Sequence, residues 1–320
     1  MSWRWSVLAI GSGVLMLALT VVPATGRATA APVGSSAASV GAVGYRMLGG
    51  DGGVFSFNAP YAGSPASNAG RCPANPPGRS MPEGSCWSMA TTPDGAGYWV
   101  LNAYSGKIYA FGDAGSFGEP AHTASYKGSP EFWPNAIYMV PTPTGKGYWV
   151  LEAGLAELGL IQSFGDAKSY GDEKSIGREP NGLPVAMAPT RDGKGYWIVD
   201  SDGGVFAFGD APFYGSMGGR HLNARIVGIA ATQDAKGYWL VGADGGVFAF
   251  GDALFGGSMG GRTLNAPIVG IASDPQGSGY WLAGSDGGVF AFGGAPFEGS
   301  LGGRRLNRPI FAIVADPRAV

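Results

Sequence analysis

The carboxylates of this chain recur in two fixed settings. Asp51, Asp202, Asp244 and Asp286 each precede a Gly-Gly pair, while Asp113, Asp166, Asp210 and Asp252 each stand between a glycine and an alanine. General acid/base catalysis needs carboxyl groups gathered at one place with environments that separate their pKa values. Carboxylates repeated along a chain are instead dispersed, and Asp beside Gly is turn chemistry, the side chain accepting backbone N–H groups of its own turn. Calcium coordination by such turns is the alternative chemistry. The histidines, His122 and His221, are isolated, and His221 takes a place filled by Thr263 in a sister segment, so neither forms a visible zinc or nucleophile constellation. No G-x-S-x-G elbow or Walker loop is present. The expected catalytic set, metal set and cofactor are therefore none.

Binding chemistry is more visible. Arg220, Arg262 and Arg304 each follow a Met/Leu-Gly-Gly turn, with Arg225, Arg305 and Arg308 nearby. If the segments are equivalent, these guanidinium groups share one face, where they could hold phosphate or carboxylate in bidentate fashion. Two Pro-rich insertions, 58–86 and 120–135, carry Tyr61, Tyr126, Phe132 and Trp133, and loops on a rigid scaffold are where specificity is usually placed. Trp99, Trp149, Trp197, Trp239 and Trp281 recur at one point of the pattern, which reads as packing, with sugar stacking as the alternative. Cys72 and Cys86 bracket the first insertion, and in an exported chain they are expected to form a structural disulfide.

The elements that must position these groups follow from the repeat. Residues 195–236 and 237–278 are identical at 29 of 42 positions, and Gly-Tyr-led units open at 44, 97, 147, 195, 237 and 279. Within a unit, Gly279–Leu282 reads as one strand, Val289–Phe292 as the next across the Asp286-Gly287-Gly288 hairpin, Phe297–Leu301 as a brief further strand, and Ile268–Ala272 as the strand preceding them. Four short strands per unit of this length is a propeller blade. The chain starts this pattern at Gly44 without a preceding strand and stops after Ile310–Val314 without a following one. The expected fold is all-β, a six-bladed β-propeller over 44–320 closed by pairing of the C-terminal strand with the N-terminal blade. An open β-solenoid is the competitor, and it would need capping units that neither end shows.

Residues 1–30 read as a secretory signal peptide: Arg4, the apolar run Val7–Val22 and Ala28-Thr29-Ala30, with cleavage after Ala30 and a linker over 31–43. The expected product is secreted and monomeric, touching a membrane only through an uncleaved signal. A formal net charge of −2 argues against nucleic acid as partner.

The stretch Val247-Phe248-Ala249-Phe250-Gly251-Asp252, led by Asp244-Gly245 and followed by Gly257-Ser258-Met259-Gly260, resembles the repeat of the regulator of chromosome condensation (RCC1-like) superfamily. It is closer still to the GYW…DGGVFxFGDA repeats of secreted bacterial proteins. Gly-Tyr-Trp departs from the superfamily pattern, as does the count of six units instead of seven. The resemblance implies a propeller platform and not nucleotide exchange, since no exchange wedge has a counterpart here. The functional expectation is a non-enzymatic binding or scaffold module for an anionic cell-envelope polymer or surface protein, with Arg220, Arg225, Arg262, Arg304, Arg308 and Trp133 as contact residues. A structural accessory to a larger envelope complex is inseparable from it by sequence. The rival is a propeller hydrolase or lyase acting at the central channel, for which Glu152, Glu157 and Glu173 are the least repeat-like acids.

Overall fold

The computed structural model of the chain describes residues 43–65, 87–103, 105–120, 136–153, 158–177, 181–277 and 279–317. Six three-stranded antiparallel sheets make up the regular structure. Blade 2 is β3 (Trp87–Thr91), β4 (Tyr98–Asn102) and β5 (Ile108–Phe111), and blade 3 is β6 (Ala136–Pro141), β7 (Gly147–Ala153) and β8 (Leu158–Gly165). Blade 4 is β9 (Pro184–Pro189), β10 (Gly195–Asp200) and β11 (Val205–Gly209), and blade 5 is β12 (Ile226–Ala231), β13 (Gly237–Gly242) and β14 (Val247–Gly251). Blade 6 is β15 (Ile268–Ser273), β16 (Gly279–Gly284) and β17 (Val289–Gly293). Blade 1 joins distant parts of the chain: β1 (Gly44–Gly49) lies between β2 (Val54–Phe57) and β18 (Ile310–Asp316). The register runs from Gly44 opposite Asp316 to Leu48 opposite Ala312. The innermost strands touch in the cyclic order β3, β6, β9, β12, β15, β18 and back to β3. The architecture is an all-β propeller of six blades.

The middle strands explain themselves by composition. Gly-Tyr-Trp-Leu-Val-Gly over β13 is apolar on both faces and is buried at every residue, as a strand packed between two neighbouring sheets must be. Each Trp meets the Tyr of the following blade: Trp99–Tyr148, Trp149–Tyr196, Trp197–Tyr238, Trp239–Tyr280 and Trp281–Tyr45, with ring centroids 5.2 to 5.8 Å apart. Blade 1 carries Arg46 in the Trp position, and its guanidinium lies over the Tyr98 ring at 5.0 Å. Five of the six junctions thus share a Trp–Tyr contact, and the sixth sets an arginine on the Tyr.

A fourth strand, expected at Phe297–Leu301 and its equivalents, does not form. The segment leaves its own sheet and fastens to the next blade. In blade 5 the Gly256 N–H donates to Tyr280 Oη at 3.2 Å, and that hydroxyl donates to the Gly257 carbonyl at 2.6 Å. The same pair of bonds joins Tyr214 and Gly215 to Tyr238, and Glu298 and Gly299 to Tyr45. Gly257 has φ +132°, and a Cβ there would come within 2.6 Å of the Phe292 ring, so only glycine fits. Backbone groups that a fourth strand would give to its own ladder are consumed by this latch.

Candidate functional site

The repeated acids have structural partners. Asp202, Asp244 and Asp286 accept the N–H of the second glycine of their own turns at 2.9 Å, and Asp51 does so at 3.1 Å. Asp166 and Asp252 accept from Thr142 and Thr232 Oγ1 at 2.8 and 3.2 Å, tying each hairpin to the turn before the middle strand. Trp99, Trp149, Trp197, Trp239 and Trp281 are buried and donate Nε1–H to backbone carbonyls at 2.6 to 2.9 Å, which fills their polar capacity within the fold. Cys72, Cys86, His122, Trp133, Glu157 and residues 1–42 lie outside the described residues.

Arg220, Arg262 and Arg304 are exposed at one position in three consecutive blades. Their backbone N–H groups close the same turn, donating to Met217, Met259 and Leu301 carbonyls at 2.9 Å. Arg225 and Arg308 stand elsewhere, on the linkers that lead into β12 and β18, and their counterparts in other blades are prolines or alanines, so the repeat does not multiply them. Arg225 is half-buried and Arg308 exposed.

Sequence reasoning missed the aromatic partners of this arc. Phe213, Phe255 and Phe297 are 61%, 62% and 61% exposed, one in each of the same three blades, whereas the Trp side chains at the blade contacts are nearly inaccessible. Tyr61 takes the equivalent place in blade 1 and is 56% exposed. In blade 4, Phe213 and the Gly218-Gly219 turn that carries Arg220 line one shallow cavity of about 550 Å³. The signal was available in the Pro/Leu-Phe-x-Gly-Ser motif, where Phe alternates out of phase with the buried latch.

The same cavity is lined by Asp200 and Asp202. Asp200 and Glu173 are each only 1% exposed. Both Glu173 carboxyl oxygens and Asp200 Oδ1 fall outside strict hydrogen-bond geometry with every described residue, and the two carboxyl groups lie close enough to share a proton between them. Burial, and next the charge of Glu173, pushes Asp200 up to about 9. Burial, reinforced by Asp172 and Asp202, pushes Glu173 up to about 7. Glu152 differs: it is buried on β7 and accepts from Gln162 Nε2 at 2.8 Å. The inner strands β3, β6, β9, β12 and β15 contain no Asp, Glu or His, and Asp316 on β18 lies 3.7 Å from Arg46 with both side chains fully buried. Among the described residues the strained acids gather at the blade 3–blade 4 junction and not at the axis.

No family model matches the chain, and no curated protein does. Among solved structures, the chain is similar to the hydrazine synthase of Kuenenia stuttgartiensis, at 16% identity and a TM-score of 0.41 over 62% of this chain and 61% of that one. It is also similar to the Myceliophteria thermophila Cps50 (Swd1) beta-propeller domain, at 9% identity and a TM-score of 0.43 over 68% of this chain and 72% of that one. The match thus spans about three-fifths of the hydrazine synthase chain.

Proposed function

We propose that this propeller is an exported, non-enzymatic binding module of the secreted GYW-repeat, RCC1-like kind, and that it engages an anionic cell-envelope polymer through the face carrying Arg220, Arg262 and Arg304. One observation carries the reading: an exposed Phe and an exposed Arg recur together at equivalent places in three consecutive blades. The fold does not need the Phe, since blades 2 and 3 have Ser116 and Ser169 in its position. A repeated pair on a repeated scaffold matches a ligand that itself repeats. Sugar rings can lie on the Phe faces while carboxylate or phosphate groups reach the guanidinium forks. Several weak contacts on one rigid frame then add through effective concentration.

The test is binding of a polyuronate, with neutral dextran as control, to the full chain and to R220E/R262E/R304E. The expected result is polyuronate binding that weakens with salt, is absent with dextran, and falls at least tenfold in the triple variant. Equal binding by the triple variant would remove the face from the reading.

A further inference from the structure

The pair Glu173 and Asp200 at the blade 3–blade 4 junction departs from the repeat, and Asp200 also lines the cavity beside the blade 4 hairpin, which Glu173 does not reach. Glu173 occupies the slot that Met217, Met259 and Leu301 fill at the next three junctions: each packs its Cβ within 2.7 Å of where a Cβ on the hairpin glycine (Gly159, Gly203, Gly245 or Gly287) would lie. Asp200 ends its middle strand where Gly242, Gly284 and Gly49 end theirs. Two acids therefore replace an apolar residue and a glycine at one spot. The fold forms three times without them, and burying two carboxyl groups that have chiefly each other as partners is destabilising. Such a departure from local consistency belongs to function.

The surroundings state the sign of what is missing. Among the described residues, the further charged groups acting on the pair are Asp172 and Asp202, both acidic. Asp200 lines the cavity together with Asp202, Asn181, Ser216, Phe206 and Phe213. At about 550 Å³ the space exceeds a bare ion, and among the described residues no group of three or more acids, His or Cys is arranged to hold a metal. An ammonium offers three donors to acceptor-only carboxylates, and aromatic faces attract a cation as well.

We propose that this cavity binds a primary ammonium group, carried on an alkyl chain or an amino sugar, with Asp200 as its carboxylate partner and the Phe213 face beneath the attached body. The site shares Phe213 and the Gly218-Gly219 turn with the edge of the arginine face and holds charge of the opposite sign. In the empty site the acids keep their protons. Binding is an exchange in which the ammonium enters with its charge, the Asp200 carboxyl loses its proton to solvent, and one buried ion pair forms.

Titration calorimetry on the full chain with n-butylamine, glucosamine and N-acetylglucosamine tests this, in buffers of differing ionisation enthalpy. An alkylammonium stays charged throughout the acid to neutral range, as lysine does. Butylamine affinity should therefore rise with pH, approaching tenfold per unit between roughly pH 5 and 7, with release of up to one proton per ligand. The neutral N-acetylglucosamine should give no heat. D200N should lower affinity for both amines at least tenfold. F213A should weaken glucosamine more than butylamine if the amino sugar is the better ligand, and both alike if the alkylamine is. E173M and D200G, which restore the residues of sister junctions, guard against a folding artefact. No heat from either amine at millimolar concentration, pH-independent affinity, or undiminished binding in folded D200N would each overturn the proposal.

Discussion

The junction between β1 and β18 holds a fully buried ion pair, and removing Asp316 exposes its worth. Arg46 and Asp316 are both fully buried, with Nη2 3.7 Å from Oδ2. Arg46 also donates Nη2–H to the Gly95 carbonyl at 3.0 Å and Nε–H to the Pro60 carbonyl at 3.1 Å. D316A leaves the guanidinium's charge without its carboxylate in a dry interior, a change that costs about 3–5 kcal/mol. For a chain of this size one kcal/mol moves the melting temperature by about 2–4 °C, so a fall on the order of 10 °C is expected. Differential scanning calorimetry reads it. D192A supplies the control, because the Lys194–Asp192 pair is 70% and 48% exposed on its side chains and water screens it. R46W, which installs the aromatic that five sister units carry, should recover much of the loss in the D316A background by removing the stranded charge. A melting temperature in D316A indistinguishable from that of D192A would refute the argument that this pair fastens the N- and C-terminal strands.

Three further outcomes follow from the same physics. G257A forces a Cβ to within 2.6 Å of the Phe292 ring at φ +132° and should lower stability by more than about 1 kcal/mol in thermal melts, whereas G261A, whose Cβ meets nothing within 4 Å, should register only the strain of its positive φ. Y280F deletes the hydroxyl that bridges Gly256 N–H and the Gly257 carbonyl and should cost about 1–3 kcal/mol by denaturant titration, with raised hydrogen exchange confined to that latch. Asp200 and Glu173 have folded pKa values raised above their unfolded ones, so they contribute stability in acid that is lost as pH rises through the folded values. Unfolding free energy should fall by up to about 1.4 kcal/mol per pH unit and per acid between pH 5 and 7, and E173M/D200G should flatten that slope.

Much of the architecture was legible because repetition supplies its own comparison. The Gly-Tyr-Trp strand, the Asp-Gly-Gly hairpin and the Val-Phe-Ala-Phe strand each emerge where their spacing places them, since turn glycines and doubly apolar strands depend on local physics. The fourth strand was misread because the Gly-Ser segment has strand-like length, and only the neighbouring blade's Tyr hydroxyl diverts its hydrogen bonds. Arg220, Arg262 and Arg304 were visible as a periodic feature, but Phe213, Phe255 and Phe297 were not, because nothing in a single aromatic tells whether it points inward. Glu173 stood out as irregular. Its meeting with Asp200 could not be read, because they sit 27 residues apart and join only when blade 3 docks on blade 4.

The contacts between blades have a consequence for how the ring is numbered. Five of the six junctions use a Trp on a Tyr, so a blade such as 5 meets its neighbours with the same surfaces that blades 4 and 6 present. Nothing local at those seams counts. Only the seam where arginine stands in for tryptophan differs, which makes one added or deleted 42-residue module chemically silent everywhere except in the curvature that the remaining modules must share.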